Sequence, residues 1–311
     1  MEQKKERRFK GKRLRKRRVV LTILVLAFLV IGAYVFMQFR SGLEVASELK
    51  PAEPEVFVPD EKEDETVNYL LLGVDSRGEE QSRTDTMMLL SWQKKTDEIK
   101  LVSFMRDIYA EIPGYSMYKL NTAYFLGGVQ LTKDTITSMF DIPIHHYAII
   151  DFVSFESLID ILAPDGIEID VEKNMSANIG VSLTQGVHQL NGKELLGYAR
   201  FRMDQEGDFG RVERQQKVIE ALKDEVLSIG NAKNLPKLVG AIQGYVTTDV
   251  SSAEQIKTVL AIAMGGGVDI SKLTIPATGT YTDQNIPGVG AVLAIDLEAN
   301  QKLLQDFLQE N

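Results

Sequence analysis

Short apolar runs separated by turn residues dominate the chain after residue 66. Four of them are apolar almost throughout, a pattern typical of strands buried on both faces; they cover 67–74, 86–92, 99–105 and 146–152. Helices are predicted at 120–128, 131–140, 152–162 and 208–227, then at 232–243, 252–264 and 297–309. In 208–227, the longest of them, apolar residues fall on one face by three-and-four spacing. Two further strands are expected, at 271–276 and 291–296. This alternation predicts one α/β domain, an αβα arrangement with a central mixed sheet covered by helices.

A different pattern precedes this domain. The stretch Val19–Met37 has no charged residue and is just long enough, as a helix, to cross a bilayer core. Eleven Lys or Arg lie within residues 1–18, and such basic flanks stay in the cytoplasm. We therefore predict a cytoplasmic tail at 1–18, a single transmembrane signal anchor at 19–39 and an extracellular C-terminal part. The alternative, a cleaved signal peptide, would need a small-x-small cleavage site, and none is convincing.

Charge and composition narrow the function further. The whole chain has a net charge of −9, so the part after the basic tail is strongly acidic and poorly suited to bind nucleic acid. The chain has no cysteine, so the domain relies on its core alone, which is typical of a Gram-positive cell surface. Residues 40–66 are polar, acidic and rich in proline, which predicts an extended linker before a domain at 67–311 whose core is 67–230. Alternatively, Glu55–Val58 packs against the domain as an irregular first strand.

Several common catalytic signatures are absent from the sequence. It has no GxSxG, P-loop, HExxH or GxGxxG motif in the required context. The histidines, His145, His146 and His188, lack metal-ligand spacing, and we interpret them as structural or surface residues. Catalysis by a serine triad or a zinc site is therefore not indicated.

Charged residues of both signs gather where predicted strands end and helices begin. The set comprises Asp75, Arg83, Asp85, Arg106, Asp107, Lys119, Asn121, Arg200, Arg202, Asp208, Arg211, Arg214 and Gln215. Strand ends in open α/β sheets form the crevice that binds ligands, and guanidinium groups match phosphate. Carboxylates among them suggest a divalent cation, usually Mg²⁺, so the pattern predicts a diphosphate site. Structural Arg–Asp salt bridges are the alternative. They explain any single pair better than they explain the whole set, since unpaired buried charges are costly.

An ordered series of motifs carries a resemblance to a known family. The motifs are GVDSR, RTDTMML, VSFMRDIY, YKLNTAY, DGIEIDV, LNGKELLGYARFRMD and DFGRVERQQ, within Val67–Leu222. Their order and spacing resemble the LytR-CpsA-Psr family, whose members also have a basic tail and a membrane anchor. One such motif alone would mean little, but the ordered series is highly specific.

The resemblance implies a phosphotransferase. Family members take a cell-wall glycopolymer, such as teichoic acid or capsule, from an undecaprenyl-diphosphate carrier and attach it to peptidoglycan. It implies Mg²⁺ (or Mn²⁺) at Asp75 and Asp85. It also implies diphosphate binding by Arg83, Arg106, Lys119, Arg200, Arg202, Arg211 and Gln215, with Asp208 in support. The expected catalytic residues are Asp85, Arg106, Asp107 and Arg202, and Asp85 or Asp107 would accept the proton of the acceptor hydroxyl.

The lipid carrier would need an apolar tunnel between sheet and helices. Leu126, Val153, Phe155, Leu158 and Ile159 are candidate wall residues, although an ordinary core explains each equally well. Three other functions stay open at this point: a membrane-bound regulator of envelope gene expression, a non-catalytic lipid-binding scaffold, and a hydrolase that uses water as the acceptor.

Overall fold

The computed structural model describes residues 26, 28–30, 32–44, 54–61, 65–75, 83–96, 98–227, 235–255, 257–258 and 270–310. The strands are β1 (Thr66–Val74), β2 (Thr84–Gln93), β3 (Glu98–Phe104), β4 (Tyr109–Glu111), β5 (Met117–Lys119), β6 (His146–Asp151), β7 (Ile167–Val171), β8 (Gly186–Leu190), β9 (Val246–Thr248), β10 (Ile270–Ile275), β11 (Tyr281–Ile286) and β12 (Gly290–Ile295). The helices are α1 (residues 32–44), α2 (Thr122–Phe140), α3 (Phe152–Leu162), α4 (Gly192–Arg200), α5 (Gly207–Leu227), α6 (Leu235–Tyr245) and α7 (Leu297–Gln309). Residues 26 and 28–30, before α1, and residues 252–255 and 257–258 are also helical.

A six-stranded sheet forms the centre, in the order β10-β3-β2-β1-β6-β9. β1 pairs with β6 in parallel and with β2 antiparallel, while β3 is antiparallel to β2 and parallel to β10. The predicted central mixed sheet is therefore confirmed. The apolar runs identified its long strands because side chains on both of their faces are covered by protein.

Helices cover the two faces of this sheet, and alternate residues of each strand point to different layers. Leu70 and Leu72 of β1 pack in one core with Ile136 of α2 and Leu304 of α7. On the other side, α3, α4, α5 and α6 share a second core that includes Ile159, Leu195 and Leu238. A cavity lies between this second layer and the sheet.

Helix α2 is interrupted where two separate helices were predicted. Gly127 and Gly128 have non-helical backbone angles, and Gly128 has a φ of 62°, which favours glycine. The carboxylate of Glu55 accepts a hydrogen bond from the Val129 amide at 2.8 Å and another from the Tyr124 hydroxyl at 2.6 Å. Glu55 thus supplies a partner for an amide that the break leaves without a helical acceptor.

The described part of the proline-rich segment lies against the domain. The Glu55 amide donates to the Tyr147 hydroxyl at 3.0 Å, and Asp60 accepts from the Ile144 amide at 2.8 Å and pairs with Lys133. Residues 54–61 are irregular rather than a strand, so they match the packed alternative in position but not in conformation. An extended stalk does not describe these residues.

The N-terminal prediction falls largely outside the described residues. Residues 1–25 are among those not described, as are 27 and 31 of the predicted span. Within the part of the chain that is described, no helix is long and apolar enough to cross a membrane. The helix that contains residues 32–44 extends past Phe39, into what was predicted as linker.

Candidate functional site

The predicted site residues from the strands lie at one end of the sheet. β1, β3 and β6 end there, and β2 begins there, because Val74 is paired with both Thr84 of β2 and Asp151 of β6. Asp75 follows β1, Asp85 lies near the start of β2, and Arg106 and Asp107 follow β3. The register of the sheet thus brings together side chains that are far apart in sequence.

Two helices complete the site from the layer that holds the second core. Arg200 is the last residue of α4, and Arg202 follows it. Asp208, Arg211 and Gln215 lie three and four residues apart on the first turns of α5, so they share one face. The capping box of Asn191 and Glu194 fixes the start of α4, and this sets where its C-terminal arginine emerges.

Asp208 lies at the centre of a group of arginines. Its Oδ2 is 3.3 Å from Arg106 Nη2, and its Oδ1 lies 3.4 Å from Arg211 Nη1 and 3.8 Å from Arg202 Nη1. A single carboxylate therefore faces three guanidinium groups. It balances only part of their combined charge.

Arg106 is also held from the strand side. Its Nη1 donates to Asp85 Oδ1 at 2.6 Å, and its Nε lies 3.4 Å from Asp107 Oδ2. Burial alone would lower the pKa of Arg106, but Asp208, Asp107 and Asp85 outweigh burial and raise it. The guanidinium is therefore permanently charged and fixed in orientation.

Asp107 links Arg106 to Lys119, whose Nζ donates to Asp107 Oδ1 at 2.7 Å. Burial would raise the pKa of Asp107, but the hydrogen bond from Lys119 and the charge of Arg106 lower it below its ordinary value. A carboxylate with a lowered pKa is ionised and a weak proton acceptor. Its surroundings suit it to orienting the two cations.

Arg200 occupies the neighbouring position over β1 and β6. Its guanidinium carbon lies 4.4 Å from the centre of the Phe152 ring, and its Nη2 is 3.9 Å from Asp75 Oδ2. Stacking on an aromatic face fixes the plane of a guanidinium and leaves its edge free to donate. Sequence reasoning did not identify Phe152 as part of the site.

Two buried donors in this cluster make no hydrogen bond to the described part of the protein, although one of them, Arg106 Nε, lies near the Asp107 carboxylate. The Nε atoms of Arg106 and Arg211 are both buried, and neither makes a hydrogen bond within the described part of the chain. Burial and the nearby charge of Arg106 lower the pKa of Arg211 despite the presence of Asp208. Buried unpaired donors are costly and rare in proteins, and a phosphate oxygen is the kind of acceptor that would satisfy them.

A cavity of 460 Å³ includes this cluster and continues between the sheet and the helices. Asp85, Arg106, Arg200, Arg202, Arg211 and Gln215 line its polar end. Leu71, Met88 and Ala148 of the sheet form one wall, and Phe155, Leu158 and Leu222 of α3 and α5 form the other. A charged end joined to an apolar channel suits a ligand with an anionic head and a hydrocarbon tail.

Several expected residues lie elsewhere. Leu126 and Val153 do not line the cavity, so their prediction as wall residues was wrong, whereas Phe155, Leu158 and Ile159 do line it. Val153 lies on the exposed side of α3. Arg83 is also absent from the lining and lies 5.7 Å from the Phe125 ring, outside the central cluster.

Arg214 belongs to a separate, structural network. It is buried and pairs with Glu172 at 2.7 Å, with Asp204, and with Glu206 at 3.3 Å. Its Nη1 also donates to the Phe201 carbonyl at 3.0 Å. For this arginine the salt-bridge interpretation holds.

The donor set fits a cation shared with a ligand rather than one held by protein alone. In the part of the chain that is described, no group of three His, Cys, Asp or Glu residues could hold a metal ion. Asp75 and Asp85 nevertheless flank the same β1–β2 end. Mg²⁺ is commonly bound by one or two carboxylates together with substrate phosphates, so these two residues fit such an ion.

Comparison with known proteins identifies the family. The model of the LytR_cpsA_psr family matches residues 34–304, most of the chain and the whole site. The chain belongs to the LytR_cpsA_psr family. The predicted family resemblance is thereby confirmed.

Three members of this family indicate its range. The chain is 43% identical to the regulatory protein MsrR of Staphylococcus aureus, over 89% of this chain and 85% of MsrR. It is 32% identical to a polyisoprenyl-teichoic acid–peptidoglycan teichoic acid transferase, TagU of Enterococcus faecalis, over 78% of this chain and 80% of that one. Among solved structures, YwtF (TagT) with bound octaprenyl pyrophosphate lipid superposes with a TM-score of 0.61 at 25% identity, over 83% of this chain and 98% of that one. Family members thus include a named regulator and named transferases.

Proposed function

We propose that this LytR-CpsA-Psr protein is a phosphotransferase that moves a cell-wall glycopolymer from a polyprenyl-diphosphate carrier to peptidoglycan at the outer face of the membrane. The observation that carries the proposal is that one cavity has arginines at one end and an apolar channel behind them. The bound octaprenyl pyrophosphate of the TagT structure is a ligand of this shape, and TagU is named a transferase of teichoic acid to peptidoglycan.

Charge supports the binding of a diphosphate together with a divalent cation. Arg106, Lys119, Arg200, Arg202 and Arg211 meet the carboxylates of Asp75, Asp85, Asp107 and Asp208. One positive charge is left over, while a diphosphate diester has two negative charges. Mg²⁺ or Mn²⁺ held by Asp75 and Asp85, when bound, would neutralise the rest of that charge.

In the proposed reaction, the acceptor hydroxyl attacks the phosphorus that bears the glycan. A new P–O bond forms to peptidoglycan, the P–O bond to the polyprenyl phosphate breaks, and the hydroxyl proton passes to a carboxylate. Arg106, Arg202 and Arg211 would stabilise the charge that develops on the leaving phosphate, the main contribution to such catalysis. Gln215 lines the same end of the cavity and would donate to a phosphate oxygen.

The proton acceptor is more consistent with Asp85 than with Asp107. Asp85 lines the cavity, whereas Asp107 does not, so Asp85 is the carboxylate that an acceptor hydroxyl in the cavity would reach. We assign Asp107 the role of positioning Arg106 and Lys119. Asp75 and Arg83 lie outside the cavity lining, so a direct contact of Arg83 with the diphosphate is the weakest part of the predicted set.

A transfer assay tests the proposal. Full-length protein in vesicles receives a polyprenyl-diphosphate disaccharide, a peptidoglycan oligomer and Mg²⁺, and mass spectrometry follows the two products. The proposal predicts a phosphodiester conjugate and polyprenyl monophosphate in equal amounts. Monophosphate without conjugate would indicate hydrolysis, and retained lipid binding without either product would indicate a scaffold.

A further inference from the structure

The helix before the linker changes its surroundings at residue 38. Its apolar residues up to Met37, including Phe28, Phe36 and Met37 itself, are exposed. From Gln38 onward the side chains of Gln38, Phe39 and Leu43 are partly covered and Gly42 is buried, while Arg40 and Glu44 stay exposed. The part of α1 that follows the predicted membrane span is therefore packed against the domain.

The contact is with α6 and leaves no room for side chains. A Cβ atom on Gly42 would overlap the carbonyl oxygen of Lys237 and lie 2.8 Å from the Ala241 amide nitrogen. Reciprocally, a Cβ on Gly240 would overlap the carbonyl oxygen of Phe39 and lie 3.2 Å from the Leu43 amide nitrogen. Small residues at a helix crossing allow the backbones to touch and give a close, well-defined contact.

Helix α6 is itself part of the wall behind the cavity. Ala241 and Tyr245 of α6 pack against Leu158, which lines the apolar channel. The residue after α6, Val246, begins the edge strand β9 and also lines the channel. The channel thus runs from the arginines at β2 and β3 across the sheet to the edge where α6 and α1 lie.

We propose that the Gly42–Gly240 contact is a rigid joint that holds the apolar end of the cavity at the bilayer surface, so that the polyprenyl donor enters directly from the membrane. This inference rests on the proposed function for the identity of the donor. Residues 54–61 add a second attachment, because Glu55 and Asp60 are bound to the domain on the α2 side. Both ends of the segment that joins α1 to β1 are consequently fixed.

The activity test compares two donors that differ in how they reach the site. One is an undecaprenyl-diphosphate disaccharide in phosphatidylglycerol–phosphatidylethanolamine vesicles that hold the protein; the other is a water-soluble geranyl-diphosphate disaccharide. Gly42→Val should lower turnover of the vesicle donor about tenfold or more and leave turnover of the soluble donor within about twofold. Gly32→Val is the matched control, since a Cβ there meets nothing within 4 Å, and both of its rates should equal those of the wild type. An unchanged vesicle rate in Gly42→Val would overturn the proposal.

A second measurement tests the joint without relying on catalysis. The chain has no cysteine, so Arg40→Cys and Lys193→Cys place a unique pair of spin labels on α1 and α4. In vesicles the pair should give one narrow distance distribution, which Gly42→Val broadens and Gly32→Val leaves unchanged. A broad distribution without the Gly42 change would overturn the joint even if transfer is observed. A narrow one with no transfer from either donor would instead reject the proposed function.

Discussion

The Asp208 carboxylate lies 3.3 Å from the Arg106 guanidinium, although one residue opens a helix and the other follows a strand more than 100 positions earlier. Arg202 and Arg211 face the same carboxylate. Without a ligand, Asp208 neutralises part of the charge of these guanidinium groups. A bound diphosphate would contact the same guanidinium groups, so the carboxylate and the ligand share them.

Replacing Asp208 should therefore affect the free protein more than the liganded one. Asp208→Asn is expected to cost about 1–3 kcal/mol of unfolding free energy without ligand, because three neighbouring cations lose their common counterion. Geranylgeranyl diphosphate should restore most of this loss, so thermal shift should report a larger ligand-induced rise in Tm than in the wild type. Glu213→Gln, on the exposed side of the same helix, is the control. An equal rise in all three proteins would contradict the shared-counterion account.

Replacing the structural Arg214 should lower the free energy of unfolding more than replacing Arg202 of the proposed diphosphate site. Arg214 is 1% exposed and pairs with three carboxylates, so Arg214→Ala should cost about 3–5 kcal/mol, the usual result of leaving buried partners unpaired. The Arg202 side chain is 49% exposed, and Arg202→Ala should cost about 1 kcal/mol or less. Urea unfolding of both variants measures the difference. Comparable losses would mean that Arg202 is also a structural residue.

The decrease of Tm at acidic pH should depend on Asp107. Its pKa in the folded protein is lowered by Lys119 and Arg106, against the effect of burial. Because the ionised form is favoured by folding, the contribution is fully present above the unfolded pKa of about 3.9 and is lost as pH falls through the lower folded value. Asp107→Asn should flatten the decline of Tm below about pH 4. Asp165→Asn, in an exposed turn, should keep the wild-type slope, and a decline equally steep in both variants would refute this assignment.

A side chain at Gly128, in the break of α2, should destabilise the folded protein more than one at another glycine with positive φ. Gly128 and Gly114 both have positive φ, so alanine should cost about 1–2 kcal/mol at either position. A Cβ at Gly128 would also overlap the Glu55 carboxylate, whereas one at Gly114 meets nothing within 4 Å. Calorimetry should find Gly128→Ala less stable than Gly114→Ala by about 1–3 kcal/mol. Equal losses would show that the Glu55 contact contributes little.

The long buried strands and the edge they share were predictable from sequence, since their apolar runs and the charged residues after them follow simple periodic rules. The short hairpin β7–β8 was missed because five residues of alternating exposure give a weak signal. Helix α4 was missed although Asn191 and Glu194 form a capping box, because only nine residues follow it.

The sequence did not show which arginines belong to the cavity and which form structural salt bridges. Arg211 and Arg214 are one helical turn apart. Arg211 pairs within α5 with Asp208, which also faces Arg106, whereas Arg214 pairs with Glu172 and Asp204, both outside α5. Helical periodicity places a side chain on a face but does not show what another part of the chain brings to that face. The stacking of Arg200 on Phe152 was inaccessible for the same reason.

The central claim is that the arginines at the cavity mouth hold the diphosphate of a lipid carrier. The most direct measurement compares the affinities of geranylgeranyl diphosphate and geranylgeranyl monophosphate for the full-length protein and for Arg202→Ala, in Mg²⁺. The account predicts that the wild type prefers the diphosphate by about tenfold or more and that Arg202→Ala loses this preference while its Tm stays nearly unchanged. Equal affinity of the wild type for both lipids, or an undiminished preference in Arg202→Ala, would contradict it.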